Sequence, residues 1–446
     1  MRLMLPEPPI ELYKDGFDGH DKLGRKKTGA TLSELVEKVQ DPLVIALDGA
    51  WGCGKSFFLK CWVGEHLKRE GNTAQTIYFD AFVHDFLDDP IIALTGVIAE
   101  RLEESEDTPA KSAWRKARQA APALARAILR VGVSVGTAGI VTNAGDIIDA
   151  ATDTIGDELQ GAVADFWKKE EGKRAAMETF RDALVELTAP DGDRKPTRKL
   201  IVVVDELDRC RPDYALSLLE IIKHFFNVDG VHFVLGVNLD ELENSVRARY
   251  GDRTDARKYL QKFITLTMVL SMDGNASGGN IKELTKYLET VVASMEIDQN
   301  TVNELQGFLT LPNISAKATI RDVQRVLTRV VLLPNDFGDS YWPLKLTVLT
   351  GIFLEVLDQP LYLKYRAASA SQKDVFSFLG IGTPDDADGG FEPYLWHAVH
   401  IYLADQPEKA SLELVKRVMM RSGLGTPKAH ISKVVFECLD RFTISD

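Results

Sequence analysis

One stretch constrains the fold of this chain more than any other: LVIALDGAWGCGKSFFLK, at residues 43–60. It begins with Leu43–Leu47, an aliphatic run typical of a strand that is buried on both faces of a parallel sheet. It continues into a helix that we predict over Phe57–Arg69, where apolar residues recur at helical spacing. The turn between strand and helix matches the pattern G-x-x-x-x-G-K-[ST] at Gly49, Gly54, Lys55 and Ser56.

A glycine-rich turn between a strand and a helix is suited to bind phosphate. Glycine leaves the backbone N–H groups accessible to phosphate oxygens, and the positive end of the helix dipole lies beneath them. We expect Lys55 to be directed toward solvent and to reach the β- and γ-phosphates of a nucleotide, and the hydroxyl of Ser56 to ligate Mg²⁺. The alternative is a glycine turn beside an incidental lysine. The residues expected to contact the nucleotide are Gly49, Trp51, Gly52, Cys53, Gly54, Lys55, Ser56 and Phe57.

Two side chains within this loop have open roles. Cys53 lies near a helix N-terminus and beside Lys55, a setting that favours a thiolate, but a small residue tolerated by the loop is the simpler interpretation. Trp51 is expected to pack against the outer side of the loop, with stacking on a base as the alternative.

A second strand supplies candidate acids. Leu200–Val204 is an aliphatic run that ends in Asp205 and Glu206. Asp205 is placed to hold a metal ion through its water shell, and Glu206 to orient or deprotonate an attacking water. The alternative is that the two acids only open a solvated turn before a helix.

A third strand-like run, Val231–Asn238, ends in a polar residue. In AAA+-like ATPases a residue at that position senses the γ-phosphate or the attacking water through a hydrogen bond, and Asn238 fits that role. Asparagine is also common where strands end, so the sequence leaves both interpretations open.

The composition is that of an ordinary globular protein, with 446 residues, 45% of them apolar and 27% charged. The net charge of −13 argues against broad, sequence-independent binding to nucleic acid. The N-terminal residues lack the apolar core of a signal peptide. The four cysteines, which show no metal-ligand spacing and suggest reduced thiols in a cytoplasmic protein, are Cys53, Cys61, Cys210 and Cys438.

Six segments of the chain, taken in order, resemble the KAP family of P-loop NTPases. They are DKLGR, ALDGAWGCGKS, VVVDELDRCRPDYALSLLEIIKHFF, LGVNLDELENSVRARYG, KYLQKFI and IRDVQRVL. Together they cover most of residues 15–335, and the D-[DE]-L-D-R-C segment is the most distinctive.

The resemblance implies ATP and Mg²⁺ as ligands and hydrolysis of the nucleotide. It implies an α/β fold whose parallel sheet has the order 5-1-4-3-2, with the P-loop strand between the strand ending near Asn238 and a later strand at Phe263–Val269. It also implies a lid helix whose arginine, Arg321 or Arg325, reaches the phosphates. The residues alone explain the stripe of Arg321, Arg325 and Arg329 equally well as a solvated face.

The chain departs from many KAP proteins between the P-loop and the acidic strand, where two transmembrane segments are often found. The longest uncharged run here, Val131–Gly145, is shorter than the roughly 20 residues that a spanning helix needs. It is flanked by Arg130 and Asp146. We therefore expect a helical insert packed against protein, with peripheral membrane contact as the alternative.

These features predict four segments. Residues 1–106 form the first part of an NTPase core, 107–193 a helical insert, 194–275 the second part of the core, and 276–446 a helical lid or effector region. The expected catalytic residues are Lys55, Glu206, Asn238 and Arg321, and the expected metal ligands are Ser56 and Asp205.

The predicted function is that of a Mg²⁺-dependent ATPase acting as a nucleotide-controlled switch, through a protein partner or self-association. A nucleic-acid partner is left open and a membrane partner is not expected. Relatives implicated in phage exclusion suggest a defence role by analogy. The alternatives are a slowly hydrolysing, nucleotide-loaded scaffold and a small-molecule P-loop kinase. Glu206 counts against the kinase, since such enzymes generally lack the adjacent glutamate.

Overall fold

The computed structural model describes residues 10–103, 177–189, 196–270, 279–292, 297–334, 336–384, 390–419 and 427–439, together with Arg115, Ala175 and Met295 but without Lys22 and Asp88. The run Val131–Gly145 and most of the predicted insert lie outside the described residues, so the four-segment division stays a prediction. The chain forms two compact units. We call Ile10–Gly49 and Lys55–Leu270 the sheet unit, and Met1–Pro9, Ala50–Gly54 and Ser271–Asp446 the helical unit.

Five parallel strands form the centre of the sheet unit. They are β1 (Leu43–Asp48), β2 (Ala74–Asp80), β3 (Lys199–Asp205), β4 (Val231–Val237) and β5 (Leu266–Val269). Their order across the sheet is β2-β3-β4-β1-β5. This is the predicted order counted from the opposite edge, and the P-loop strand β1 lies between β4 and β5 as expected. Every residue of β3 and β4 is buried, which explains why both sequences are mostly apolar and do not alternate with polar residues.

Helices of the sheet unit connect these strands. They are α1 (Lys26–Lys38), α2 (Lys55–Leu67), α3 (Ala81–His84), α4 (Pro90–Glu103), α5 (177–188), α6 (Pro212–Phe225), α7 (Leu239–Tyr250) and α8 (Ala256–Leu260), with a 3₁₀ turn at Leu207–Arg209. The predicted helix after the P-loop thus begins two residues earlier than expected, at Lys55.

Trp62 of α2 is fully buried and donates its indole N–H to the carbonyl of Gly29 and the hydroxyl of Ser33, both on α1. These bonds fix α2, and therefore the start of the helix behind the loop.

The edge strand β2 is contacted by the segment that precedes α1. The backbone N–H of Tyr78 donates to the hydroxyl of Tyr13 over 3.0 Å. The guanidinium of Arg101, on α4, lies 3.9 Å from the centre of the Tyr13 ring. A side chain thereby satisfies a backbone donor that an edge strand otherwise leaves to solvent.

The register of the strands brings acidic residues to one edge of the sheet. Asp80 pairs with Asp205 across β2 and β3, and Asp205 pairs with Gly236 on β4. Asp48 ends β1 opposite Val237. Since all five strands are parallel, these positions share the carboxyl edge, which is where ligands bind in open α/β sheets.

The helical unit contains the predicted helices of the C-terminal region. They are α9 (Gly279–Val292), α10 (Gln299–Thr310), α11 (Pro312–Lys317), α12 (Ile320–Val331), α13 (Trp342–Leu357), α14 (Gln359–Arg366), α15 (Gln372–Leu379), α16 (Phe391–Leu403), α17 (Lys409–Met419) and α18 (Pro427–Leu439), with a 3₁₀ turn at Phe337–Asp339. Within the part of the chain that is described, no helix combines the length and the apolar character that crossing a membrane requires.

Helix α12 begins at a capping box. The hydroxyl oxygen of Thr319 accepts from the N–H of Asp322, and the carboxylate of Asp322 accepts from the N–H of Thr319. Val323, Val326 and Leu327 are buried, as the apolar spacing predicts. The cap therefore fixes where the helix that carries Arg321 starts.

Candidate nucleotide-binding site

The loop between β1 and α2 has the backbone geometry of a phosphate-binding turn. The N–H of Gly49 donates to the carbonyl of Val237 over 3.2 Å, which ties the start of the loop to β4. Gly52 and Gly54 have φ angles of +85° and +88°. These angles lie in the left-handed region that residues with a Cβ rarely adopt, so glycine is required at both positions.

Lys55 does not point into solvent as the sequence predicted. Only 8% of the residue is exposed, and its ammonium donates to the carbonyl of Gly49. The expectation was wrong because the lysine is the first residue of α2, and its side chain folds back along the loop toward a backbone acceptor. The ammonium therefore lies within the glycine-rich loop.

Asp205 is the most buried acid of the site, with 1% of the residue exposed. One carboxylate oxygen, Oδ1, accepts from the N–H of Glu206 over 2.9 Å, and the other, Oδ2, accepts from the hydroxyl of Tyr78 over 2.6 Å. The hydroxyl of Ser56 lies near this carboxylate and favours its charged form. Burial raises the pKa of Asp205, and the hydrogen bonds from Tyr78 and the Glu206 backbone, together with the nearby Ser56 hydroxyl, oppose that rise.

The same carboxylate lies against β4 at a position without a side chain. A Cβ built on Gly236 would lie 2.6 Å from Oδ1 of Asp205, too close for any real contact. Asp205 and Ser56 therefore bring a carboxylate and a hydroxyl together at the carboxyl edge of the sheet. Hard oxygen donors of this kind suit Mg²⁺, so the residues present fit the ion that the sequence predicts.

Glu206 is held in an unusual conformation. Its φ and ψ angles are 58° and 28°, in the left-handed region, which costs a non-glycine residue about 1 kcal/mol or more. Its carboxylate pairs with Arg209 Nη1 over 2.8 Å, and 19% of its side chain is exposed. Burial raises the pKa of Glu206 and the Arg209 charge lowers it, while the Asp205 and Asp80 charges add to the rise. The two acids do not form the solvated turn that was the alternative.

Asn238 caps the helix that follows β4. Its side-chain oxygen accepts from the N–H of Asp240 over 3.2 Å at the start of α7. The N–H of Leu239 donates to the Asp48 carboxylate over 2.9 Å, which ties the same turn to the end of β1. A capping role for Asn238 is thus established by the geometry. A sensor role would use the nitrogen of the carboxamide.

In the helical unit, the start of α12 lies against the loop segment Ala50–Gly54. A Cβ on Gly52 would lie 2.7 Å from Cβ of Arg321 and 2.8 Å from the hydroxyl of Thr319. The missing side chain of Gly52 thus makes room for the N-terminus of the helix. The start of α12 thus places Arg321 next to this loop segment. The sequence alone could not choose between Arg321 and Arg325 for the lid arginine.

The other two arginines of the stripe make ion pairs elsewhere. Arg325 lies 3.7 Å from the carboxylate of Asp322, and 64% of its side chain is exposed. Arg329 pairs with Glu355 of α13. Arg325 thus fits a solvated face and Arg329 a structural one, while Arg321 is exposed as well and is set apart by its place next to Gly52.

The remaining loop residues differ in exposure. Trp51 is 41% exposed, whereas Cys53 is 2% exposed and Phe57 is partly buried. A buried thiol is usually inert, so the burial of Cys53 favours the simpler interpretation of a tolerated small residue.

Two residues of the site were not predicted: Tyr78 and Arg209. Tyr78 pairs in register with Val203, two residues before Asp205, so the two side chains lie on the same face of adjacent strands. Burial and the Asp205 charge raise the pKa of Tyr78, so the phenol keeps its proton and remains a donor. Strand pairing was the signal needed to find it, and the sequence motifs alone do not give the register. Arg209 follows Glu206 by three residues, a spacing that brings charges together in a helical turn.

The family profile described as the KAP family P-loop domain matches residues 25–335. The chain belongs to the KAP family of P-loop NTPases. The matched span includes the P-loop, both acids, Asn238 and Arg321, and it makes this KAP protein a nucleotide-binding P-loop protein.

This KAP protein is also similar to an uncharacterised protein of Methanocaldococcus jannaschii. The two are 31% identical over 121 residues, and the match spans 26% of this chain and 60% of that relative. Two solved structures of the Aeropyrum pernix ORC2 protein are also similar, at 12% identity. The structure described as ADPNP-ADP complexes has a TM-score of 0.33 over 94% of each chain. The ADP form has a TM-score of 0.32 over 98% of this chain and 96% of that one. Both TM-scores are too low to support an inference about ligand or function.

Proposed function

We propose that this KAP protein binds ATP with Mg²⁺, hydrolyses it, and uses the nucleotide state to control protein contacts made by its helical unit. The observation that supports this best is the buried carboxylate of Asp205, whose charged form is favoured by the nearby hydroxyl of Ser56 at the start of α2. A nucleotide site needs this pairing of a hydroxyl and a carboxylate at the end of the loop.

Different groups of the loop and of the neighbouring strands bind the phosphates and the Mg²⁺ ion. The backbone N–H groups of the glycine-rich turn donate to the phosphate oxygens, and the ammonium of Lys55 adds a positive charge. Ser56 and Asp205 would hold Mg²⁺, which when bound neutralises charge on the β- and γ-phosphates. The first turn of α2 directs its N–H groups at the same place.

Glu206 is the proposed base or water-positioning group. A raised pKa brings a carboxylate closer to the operating pH, which strengthens it as a proton acceptor while it remains ionised. The ion pair with Arg209 fixes the direction of the carboxylate. In this role Glu206 accepts a proton from water, so the product is free phosphate and not a phosphorylated small molecule.

Asn238 and Arg321 are proposed to respond to the γ-phosphate. The carboxamide nitrogen of Asn238 is the group that donates, since the oxygen caps α7. Arg321, at the start of α12 beside Gly52, supplies a cation from the helical unit. A contact that forms with ATP and is lost with ADP makes the two nucleotides favour different conformations of the protein. A nucleotide-controlled switch requires such a difference.

The test combines phosphate release with light scattering of the purified protein, with and without ATP and Mg²⁺. We expect steady phosphate release in wild type and none in Lys55→Ala, with a change in mass or radius only in the protein that binds nucleotide. Circular dichroism melting checks that Lys55→Ala stays folded. Equal phosphate release by both proteins would remove the P-loop assignment. Turnover without any change in scattering would contradict self-association and leave a separate protein partner as the output.

A role in anti-phage defence rests only on analogy with other KAP proteins, and we propose it on that basis. The expected result is a lower plating efficiency of some phages on bacteria that express the protein. Loss of that protection in Lys55→Ala would link it to nucleotide, whereas equal plating on all strains across a broad phage panel would contradict the proposal.

A further inference from the structure

The buried carboxylate of Asp205 is held by a side chain that the proposed reaction leaves without a role. The hydroxyl of Tyr78, on β2, donates to Oδ2 of Asp205 over 2.6 Å. Tyr78 is 9% exposed, and its hydrogen bond runs between two adjacent strands at the carboxyl edge of the sheet. A hydrogen bond to a charged acceptor of this length is among the stronger ones in proteins.

The position of the phenol is fixed by the elements around it. The backbone of Tyr78 is paired with Val203 on one side and donates to the hydroxyl of Tyr13 on the other. The ammonium of Lys60, on α2, lies 5.8 Å from the centre of the Tyr78 ring. The backbone of Tyr78 is therefore held on both sides, and this fixes the position from which its hydroxyl donates to Asp205.

The two oxygens of Asp205 have different donors. Oδ1 accepts from the N–H of Glu206 and fits into the space left by Gly236. Oδ2 accepts from Tyr78. With both oxygens engaged, the carboxylate cannot rotate without losing one of these bonds, and it presents a single orientation to Ser56.

We propose that Tyr78 is a positioning residue for Asp205, which sets the orientation in which the carboxylate and Ser56 take up Mg²⁺ together with a nucleotide. This inference rests on the proposed function. Without the phenol, the carboxylate could rotate toward other donors, and the pair of oxygens would no longer be arranged in advance. Hydrogen-bond partners of metal ligands typically change metal affinity about 10- to 100-fold when they are removed.

The test measures the affinity of a fluorescent ATP analogue by equilibrium titration, first in EDTA and then over a range of Mg²⁺ concentrations. In Tyr78→Phe we expect unchanged affinity in EDTA and a requirement for about tenfold or more Mg²⁺ to reach half of its enhancement. Phenylalanine keeps the ring and its packing, so the melting temperature should stay close to that of wild type. This readout needs no turnover.

The matched control is Tyr214→Phe. Tyr214 is buried on α6 of the same unit, and its hydroxyl has no hydrogen-bond partner among the described residues. We expect this variant to show the wild-type Mg²⁺ dependence.

Three results would overturn the inference. One is a Tyr78→Phe variant with the Mg²⁺ dependence of wild type. Another is an equal loss of affinity in EDTA and in Mg²⁺, which indicates a merely structural role. The third is wild type that binds no nucleotide, or binds it equally with and without Mg²⁺, which contradicts the proposed function itself.

Discussion

Glu206 combines a left-handed backbone with an ion pair to Arg209, and both features bear on its proposed role. Glu206→Gln keeps the size of the side chain and removes its charge. We expect ATP binding to persist while phosphate release falls by roughly two to four orders of magnitude, since the amide cannot accept a proton from water. Phosphate release and equilibrium binding of ATP measure the two effects separately.

The control for this substitution is Glu70→Gln, at an exposed position of the same unit. It should leave both measurements unchanged. Phosphate release by Glu206→Gln at the wild-type rate would contradict the proposed base. Transfer of phosphate to a small-molecule acceptor, with no free phosphate, would favour the kinase alternative.

Asn238 has an established capping role and a proposed sensor role, and two substitutions separate them. Asn238→Asp keeps an oxygen for the N–H of Asp240, so the cap and the melting temperature should be retained. Asn238→Ala removes the cap and should destabilise the fold by about 1 kcal/mol. If the carboxamide nitrogen acts as the sensor, both variants lose ATP hydrolysis. Normal hydrolysis by the well-capped aspartate variant would leave only the structural role.

The residue types of the site could be predicted from the sequence, but their directions could not. The motifs identified Lys55, Asp205 and Glu206 because each follows an aliphatic strand at a defined spacing. The return of the Lys55 ammonium to the Gly49 carbonyl depends on the path of the loop, which no motif specifies. Tyr78 belongs to the site only through the pairing of β2 with β3, a contact between residues about 125 positions apart in sequence.

At the scale of elements, α12 is the proposed link between nucleotide and helical unit. Arg321→Ala should bind ADP almost normally and lose its preference for ATP, because the cation that contacts the γ-phosphate is removed. An ATP-dependent change in protease sensitivity over residues 310–340 should disappear with it. Nucleotide titration and limited proteolysis measure these effects.

Arg325→Ala serves as the matched control one turn along the same helix. Its side chain is 64% exposed and paired locally with Asp322, so we expect a nearly wild-type response. If Arg325→Ala changes the response and Arg321→Ala does not, the assignment moves by one turn. If neither variant changes it, the lid mechanism fails.

The elements themselves were largely accessible from the sequence. Aliphatic runs marked β1, β3 and β4, and the family resemblance supplied the strand order that the structure has. The helical spacing of the apolar residues also predicted the buried face of α12. The approach of α12 to Gly52 was not predictable, because it joins segments more than 260 residues apart through the space left by a missing side chain.

At the scale of the whole molecule, a cluster of charges around a buried lysine in the helical unit makes stability depend on pH. Lys345 of α13 lies 4.0 Å from the carboxylates of both Asp298 and Glu304, and 3% of its side chain is exposed. Burial raises the pKa of Glu304 to about 7, against the lowering effect of the Lys345 charge. The unfolded value is about 4.3, so the folded state binds this proton more tightly than the unfolded state.

The sign of the dependence follows from linkage. The stabilisation from the protonated Glu304 is complete below the unfolded pKa and is lost as the pH rises through about 7. We expect the melting temperature of wild type to fall between about pH 5 and pH 8, by an amount equivalent to about 1–3 kcal/mol. Glu304→Gln should flatten this dependence, because glutamine resembles the protonated acid at every pH.

Glu392→Gln, at an exposed position of the same unit, is the control and should keep the wild-type slope. Melting curves at several pH values measure all three proteins. An equal slope in wild type and Glu304→Gln would show that other groups determine the pH dependence.

The strand order also has a consequence for how the chain folds as it leaves the ribosome. β1 and β2 emerge first, yet neither is the neighbour of the other in the sheet. Among the described strands, β2 pairs with β3 alone, and β1 gains its first partner when β4 at Val231–Val237 has been made. At about 5–20 residues per second, the aliphatic P-loop strand waits on the order of 10 to 40 seconds before its first ladder can form. During synthesis β1 therefore stays unpaired longer than the other described strands, and a chaperone that binds extended apolar chain has time to protect it from aggregation.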